Sequence, residues 1–120
     1  NEGTTWEALL FASHHKLSNL IVIVDYNKLQ SLTTVKKTLN VEPLAKKFKS
    51  FGCITKIING HNFSQIKKNL LLKNSNKPVV IIANTTKGKG ISFMENKIEW
   101  HYKSPNSEEL KKGLEELNNA

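Results

Sequence analysis

Two short, unbroken apolar runs constrain the fold more than any other feature of this chain. Leu20-Ile21-Val22-Ile23-Val24 and Val79-Val80-Ile81-Ile82-Ala83 are rich in β-branched residues and show no polar alternation. A strand with one wet face alternates apolar and polar side chains, because successive side chains point to opposite faces. An unbroken run is the pattern of a strand covered on both faces, as in parallel sheets. A third, weaker strand is expected at Cys53-Ile54-Thr55-Lys56-Ile57-Ile58, ended by the turn pair Asn59-Gly60.

Helical signals alternate with these runs. Thr4 and Glu7 have capping-box spacing ahead of Ala8-Leu9-Leu10-Phe11-Ala12. Pro43 fits the first turn of a helix carrying Leu44, Ala45, Phe48 and Phe51, with Gly52 as its stop. Asn62 with Gln65 opens a helix through Ile66 to Leu72. Asn106 with Glu109 opens the last one, whose apolar face is Leu110, Leu114 and Leu117. The order helix, strand, helix, strand, helix, strand, loop, helix predicts an α/β fold, a parallel sheet with helices on both faces. No internal repeat or linker divides residues 1–120, so a single domain is expected.

Composition narrows the function classes. The formal charge is +8, yet all 18 basic residues are lysines. A sequence-specific DNA reader without arginine lacks the planar fork that clamps guanine and phosphate. The pairs Lys36-Lys37, Lys46-Lys47, Lys67-Lys68 and Lys111-Lys112 read as solvated helix faces, and neither nucleic acid nor membrane is expected as a partner. No apolar run approaches the roughly 20 residues that span a bilayer. The single cysteine, Cys53, sits in an apolar stretch, reads as a buried structural thiol and suits a reducing cytoplasm. The chain opens on Asn1-Glu2-Gly3 rather than Met, and the expectation is that upstream sequence is missing.

In doubly wound folds, ligands sit at the carboxyl ends of the strands. Asp25-Tyr26-Asn27-Lys28-Leu29 follows one predicted strand, and Asn84-Thr85-Thr86-Lys87-Gly88-Lys89-Gly90 follows another. Taken alone, Asp25 and Asn27 satisfy the role of turn residues that bond the local backbone. An Asn side-chain oxygen and a backbone carbonyl two residues on equally suit Mg²⁺ or Ca²⁺, hard ions that take oxygen ligands and often bridge phosphates. Lys87-Gly88-Lys89-Gly90 is not a P-loop, because it lacks the required glycine–lysine spacing. The glycine-containing stretch from Thr85 to Pro105 has little apolar periodicity, and long ordered loops of that kind are commonly functional.

A series of segments, in order, resembles transketolase. They are Asn1-Glu2-Gly3, Trp6-Glu7-Ala8, His14-His15-Lys16-Leu17, Leu20 to Gln30, Glu42-Pro43-Leu44-Ala45, Asn59-Gly60-His61, Thr86 to Glu95, and Trp100-His101-Tyr102-Lys103-Ser104-Pro105-Asn106. The similarity is to the N-terminal thiamine-diphosphate-binding domain, above all the small subunit of split transketolases. It implies thiamine diphosphate and Mg²⁺ (or Ca²⁺) as cofactors, and two-carbon ketol transfer between sugars. By the resemblance, the Asn27 side chain and the Leu29 carbonyl are metal and cofactor ligands. The family's metal-binding aspartate, in a Gly-Asp-Gly opening, falls upstream of Asn1.

The resemblance also matches His101 to a histidine reaching the cofactor diphosphate and the reacting centre; packing among Trp100 and Tyr102 is the structural alternative. It matches Glu2 to a carboxylate at a dimer interface; a helix N-terminal carboxylate is the alternative there. His61 precedes a helix cap and reads as structural, and His14 and His15 close the first helix. Ser31 and Leu32 stand where many transketolases carry an apolar residue followed by Asp, which leaves the substrate open. The implied partners are sugar phosphates and a pyrimidine-binding transketolase domain or subunit, in a homodimer or heterotetramer. A dehydrogenase E1 component, a deoxyxylulose-phosphate synthase, or a non-catalytic module of the same fold are the alternatives.

Overall fold

The structure is a computed structural model that describes residues 2–72 and 76–119. Asn1, the first residue of the resembling segments, lies outside the described residues. Contacts divide the chain into two compact units, Asn1–Tyr26 with Leu39–Thr85, and Asn27–Thr38 with Thr86–Ala120.

The first unit holds helix α1 (Gly3–His14), strand β1 (Ile21–Tyr26), helix α3 (Leu44–Ser50), strand β2 (Ile54–Asn59), helix α4 (Phe63–Leu70) and strand β3 (Val79–Asn84). The second holds α2 (Val35–Thr38), a 3₁₀ turn (Ile98–His101) and α5 (Ser107–Asn118). All three expected strands form, and they pair in parallel in the order β1-β3-β2. The central strand is β3, whose Val79 to Ala83 are all buried. Alternate residues serve the two faces. Val80 and Ile82 join Leu9, Leu44, Phe48 and Cys53 under α1 and α3. Val79, Ile81 and Ala83 join Ile58, with Ile66 of α4 packed against them. The expected cover on both faces is therefore complete at β3. On β1 it is not: Ile23 is 56% exposed although its run reads as fully apolar, because β1 is an edge strand.

Helix ends follow the local chemistry, with one correction. The Thr4–Glu7 capping box does not form; α1 starts one residue earlier, with Glu2 at the cap and no side-chain capping bond. Its far end closes by a Schellman pattern, in which Lys16 N–H donates to Ser13 O at 3.1 Å and Leu17 N–H to Ala12 O at 2.9 Å. Lys16 takes the left-handed position (φ +54°) that glycine usually fills. The same pattern ends α3, where Gly52 at φ +84° is the expected stop. Asn62 caps α4 by accepting from Gln65 N–H at 2.9 Å. The Asn106–Glu109 box on α5 is complete in both directions, at 2.8 and 2.9 Å.

The apolar face expected on α5 is not buried. Leu110, Leu114 and Leu117 are each about half exposed, at 52%, 53% and 49%. The helix instead seats Gly113, its buried residue, where an added Cβ would come within 3.5 Å of Ile91 and 3.7 Å of Phe93. Cys53 is buried as expected, and burial raises its thiol pKa. The paired lysines lie on helices, and Lys36, Lys37, Lys46, Lys67, Lys68, Lys111 and Lys112 are exposed. No helix among the described residues is long and apolar enough to cross a membrane.

At the end of β1, Tyr26 Oη donates to Glu42 Oε1 at 2.5 Å, while Glu42 Oε2 accepts from Leu44 N–H at 2.9 Å. Burial, then the bond and the negative charge of Glu42, push the Tyr26 pKa up to about 12 from 10.0. A phenol whose proton is held more tightly in the folded state stabilises that state fully below its unfolded pKa. The contribution is lost as pH rises through the folded value. The stability advantage of the chain over its Tyr26→Phe variant is therefore expected to be flat up to about pH 10 and to shrink between about 10 and 12, read by urea unfolding at stepped pH.

Candidate functional site

The second unit gathers the residues that the sequence marks for chemistry. Asn27 follows β1 directly, and its Oδ1 accepts from Leu29 N–H at 2.9 Å in an Asx turn. Lys28 between them is left-handed at φ +64°. The segment then doubles back: Leu29 forms an antiparallel bridge with Thr34, Gln30 N–H donates to Thr33 O at 2.7 Å, and Val35 N–H donates to Lys28 O at 2.9 Å. These bonds use the Lys28 carbonyl and leave the Leu29 carbonyl without a donor among the described residues. Asn27 Oδ1 keeps a second lone pair. Two hard oxygen acceptors thus stand two residues apart, which fits a cation of the Mg²⁺ or Ca²⁺ type. Among the described residues, no three His, Cys, Asp or Glu side chains stand together as a metal-binding group. The donor set fits a metal in part, as two neutral oxygens that need a further anionic ligand.

His101 reaches the same place from the other end of the sequence. It closes the 3₁₀ turn Ile98–His101. That turn is anchored by Trp100, whose Nε1 donates to Phe93 O at 3.0 Å and whose ring lies 5.4 Å from that of Phe93. Lys103 Nζ sits 4.3 Å from the Trp100 ring centre and pairs with Glu109 of α5. The Lys103 bond and the Asn106 backbone amide lower the Glu109 pKa. So Trp100 does the packing, while His101 stays exposed and meets Ser31, Oγ to Nε2, at 3.4 Å.

Asn27, Leu29, Gln30, Ser31, Lys87 and His101 together line a cavity of about 150 Å³. Three of the four residues singled out from the sequence, Asn27, Leu29 and His101, therefore share one cavity. Glu2 belongs to the other unit, where it is the exposed N-cap residue of α1. His14 ends α1 and His15 is its C-cap, their rings 4.9 Å apart. His61 N–H donates to Asn59 Oδ1 at 2.9 Å, just before the α4 cap. Sequence reasoning gave no catalytic role to Ser31 or to Lys87, and both line the cavity. The Lys87–Gly90 segment is built of consecutive turns, in which Asn96 N–H donates to Lys87 O at 2.9 Å and Lys89 pairs with Glu95 at 3.3 Å. Gly88 is required there. It sits at φ +72°, and an added Cβ would stand 2.6 Å from the Met94 carbonyl oxygen.

A strand-end Asx turn with two oxygen donors, a histidine and a lysine around one polar cavity defines a cofactor-binding α/β protein. Residues 1–117 match the family described as "Transketolase, thiamine diphosphate binding domain", and the chain belongs to that family. It is 45% identical over 117 residues to one of the two halves of a split enzyme, the apulose-4-phosphate transketolase of Actinobacillus succinogenes, covering 97% of this chain and 42% of that one. It is 37% identical over 119 residues to the 6-deoxy-6-sulfo-D-fructose transketolase subunit SqwG of a Clostridium species, covering 98% and 43%. Among solved structures, the transketolase of Campylobacter jejuni superposes with a TM-score of 0.89 at 36% identity, over 98% of this chain and 18% of that one. The chain thus spans less than half the length of these relatives.

Proposed function

We propose that this chain forms the later part of a single thiamine-diphosphate-binding domain in a transketolase that transfers a two-carbon ketol unit from a ketose to an aldose. The observation that carries this reading is the cavity in which Asn27, Leu29 and His101 meet. Bound thiamine diphosphate supplies the electron sink that makes cleavage of a carbon–carbon bond beside a carbonyl accessible, and the protein supplies binding, orientation and electrostatics. The Asn27 side-chain oxygen and the Leu29 carbonyl hold Mg²⁺ (or Ca²⁺), together with an aspartate outside residues 1–120. The metal in turn neutralises the diphosphate. Lys87 adds a cation to the same wall. His101 donates a hydrogen bond toward the diphosphate and the reacting centre. Glu2 serves a carboxylate network at an interface between subunits.

The substrates are proposed to be sugar phosphates. Two similar proteins are named for ketoses with a terminal phosphate or sulfonate, which fits an anionic sugar. Both are named as subunits, which supports a partner carrying the pyrimidine-binding half, in a homodimer or heterotetramer. A cytoplasmic, magnesium-dependent enzyme of sugar-phosphate metabolism is the setting this implies, with no role in nucleic-acid or membrane binding.

Asn27→Ala in the complete, partner-assembled protein tests the metal assignment. It removes one oxygen ligand and the acceptor that shapes the turn. The expected result is Mg²⁺-dependent thiamine-diphosphate binding weaker by roughly 10- to 100-fold, by calorimetry, with an unchanged circular dichroism spectrum. Equal affinity in the variant would remove Asn27 from the site.

A further inference from the structure

We infer that Ser31 is a positioning residue, whose hydroxyl fixes the ring orientation and tautomer of His101. The inference rests on the reading of the cavity given above. Three observations carry it. Ser31 Oγ lies 3.4 Å from His101 Nε2, across 70 residues of sequence, at the outer limit of a hydrogen bond. Both side chains line the same cavity as Asn27 and Leu29. Ser31 is half-buried on the segment held by the Leu29–Thr34 bridge, so its hydroxyl is a fixed point, whereas His101 is exposed and ends a short 3₁₀ turn. The fixed group orients the free one. Hydrogen bonds among catalytic groups are commonly long before ligands bind and tighten in the complex.

The direction of the bond follows from what the imidazole has to do. A neutral imidazole carries one N–H donor and one acceptor nitrogen. With the Ser31 hydroxyl donating to Nε2, the proton of the ring sits on Nδ1, and Nδ1–H is the group left to donate to an anionic oxygen. Tyr102, whose ring stands edge-on 4.6 Å from that of His101, limits rotation from the other side. An apolar residue at position 31 cannot set the tautomer, so the device belongs to this chain and its like rather than to transketolases with an apolar side chain there.

The test uses the complete, partner-assembled protein without cofactor, and its variants Ser31→Ala and Ser31→Thr. Long-range proton–nitrogen correlation spectra at a pH where the imidazole is neutral report which ring nitrogen of His101 bears the proton. The expected result is Nδ1–H in the wild type and in Ser31→Thr, and a shift toward Nε2–H in Ser31→Ala. In turnover assays, Ser31→Ala is expected to lower kcat by about five-fold, the scale of one lost hydrogen bond, and Ser31→Thr to restore it. Identical His101 nitrogen shifts in wild type and Ser31→Ala would overturn the pairing. Failure of the wild type to bind thiamine diphosphate in calorimetry would overturn the cofactor reading and with it the catalytic role of Ser31. That failure is distinguishable, because the spectra are recorded without cofactor.

Discussion

Replacing His101 by alanine in the assembled protein is expected to lower kcat/KM for ketose donors by roughly 100-fold, the scale of removing one donor aimed at developing charge. The fold is expected to survive, for a structural reason. The aromatic packing of the 3₁₀ turn is carried by Trp100 against Phe93, and by Lys103 over the Trp100 ring. His101 is exposed and contributes little buried area. Asparagine at this position keeps a side-chain donor and is expected to fall between wild type and alanine. The measurement is steady-state kinetics of both variants with a ketose donor and an aldose acceptor, beside thermal unfolding. A drop in kcat/KM with equal unfolding temperatures places His101 in the reaction. Activity within about twofold of wild type would return it to a packing role and leave Asn27 and Leu29 as the only residues assigned to the cavity.

The parts of this molecule that were legible in the sequence are those fixed by near neighbours. Asn62 and Asn106 were readable as caps because a side-chain acceptor and an amide three residues on make the motif complete. Gly52 was readable as a stop because few other residues take φ +84° without strain. The Thr4–Glu7 spacing misled because Thr, Glu and Gly are all tolerated in a first helical turn, and the helix begins at Gly3. The runs in β1 and β3 look alike, yet only β3 lies between two other strands. Strand order depends on pairing between residues far apart in sequence, which local periodicity does not encode. The leucines of α5 read as a buried face, but the helix is seated through Gly113, whose missing side chain admits Ile91 and Phe93. A close approach at glycine leaves no hydrophobic signal. The site divides in the same way. Asn27 and Leu29 were legible from one pentapeptide, but the meeting of Ser31 and Lys87 with His101 depends on where turns bring the ends of two distant segments.

Residues 1–120 expressed alone are expected to transfer no two-carbon unit at all. The cavity offers a metal two neutral oxygens, and the described residues hold no cluster of three acidic, histidine or cysteine side chains to supply the rest. A divalent ion held by so few neutral ligands binds weakly, and the diphosphate loses its counter-charge. The stretch also matches only 42% of the length of the similar protein from Actinobacillus succinogenes. Its surface points the same way. β1 and β2 are open edges of the sheet, and Leu10, Phe11, Ile23 and Ile57 are each more than half exposed. Unpaired strand edges beside apolar surface favour self-association. The expected behaviour of the isolated stretch is therefore poor solubility or concentration-dependent association in sedimentation. A coupled ketose–aldose assay on three samples separates the contributions. The isolated stretch should give no transfer. The chain extended upstream to include the missing aspartate should regain part of its metal and cofactor binding, read by calorimetry. The extended chain with its pyrimidine-binding partner should regain transfer. Measurable turnover by the purified 120-residue stretch would show that the donors in the cavity suffice, and that the division of labour proposed between this domain and its partner is wrong.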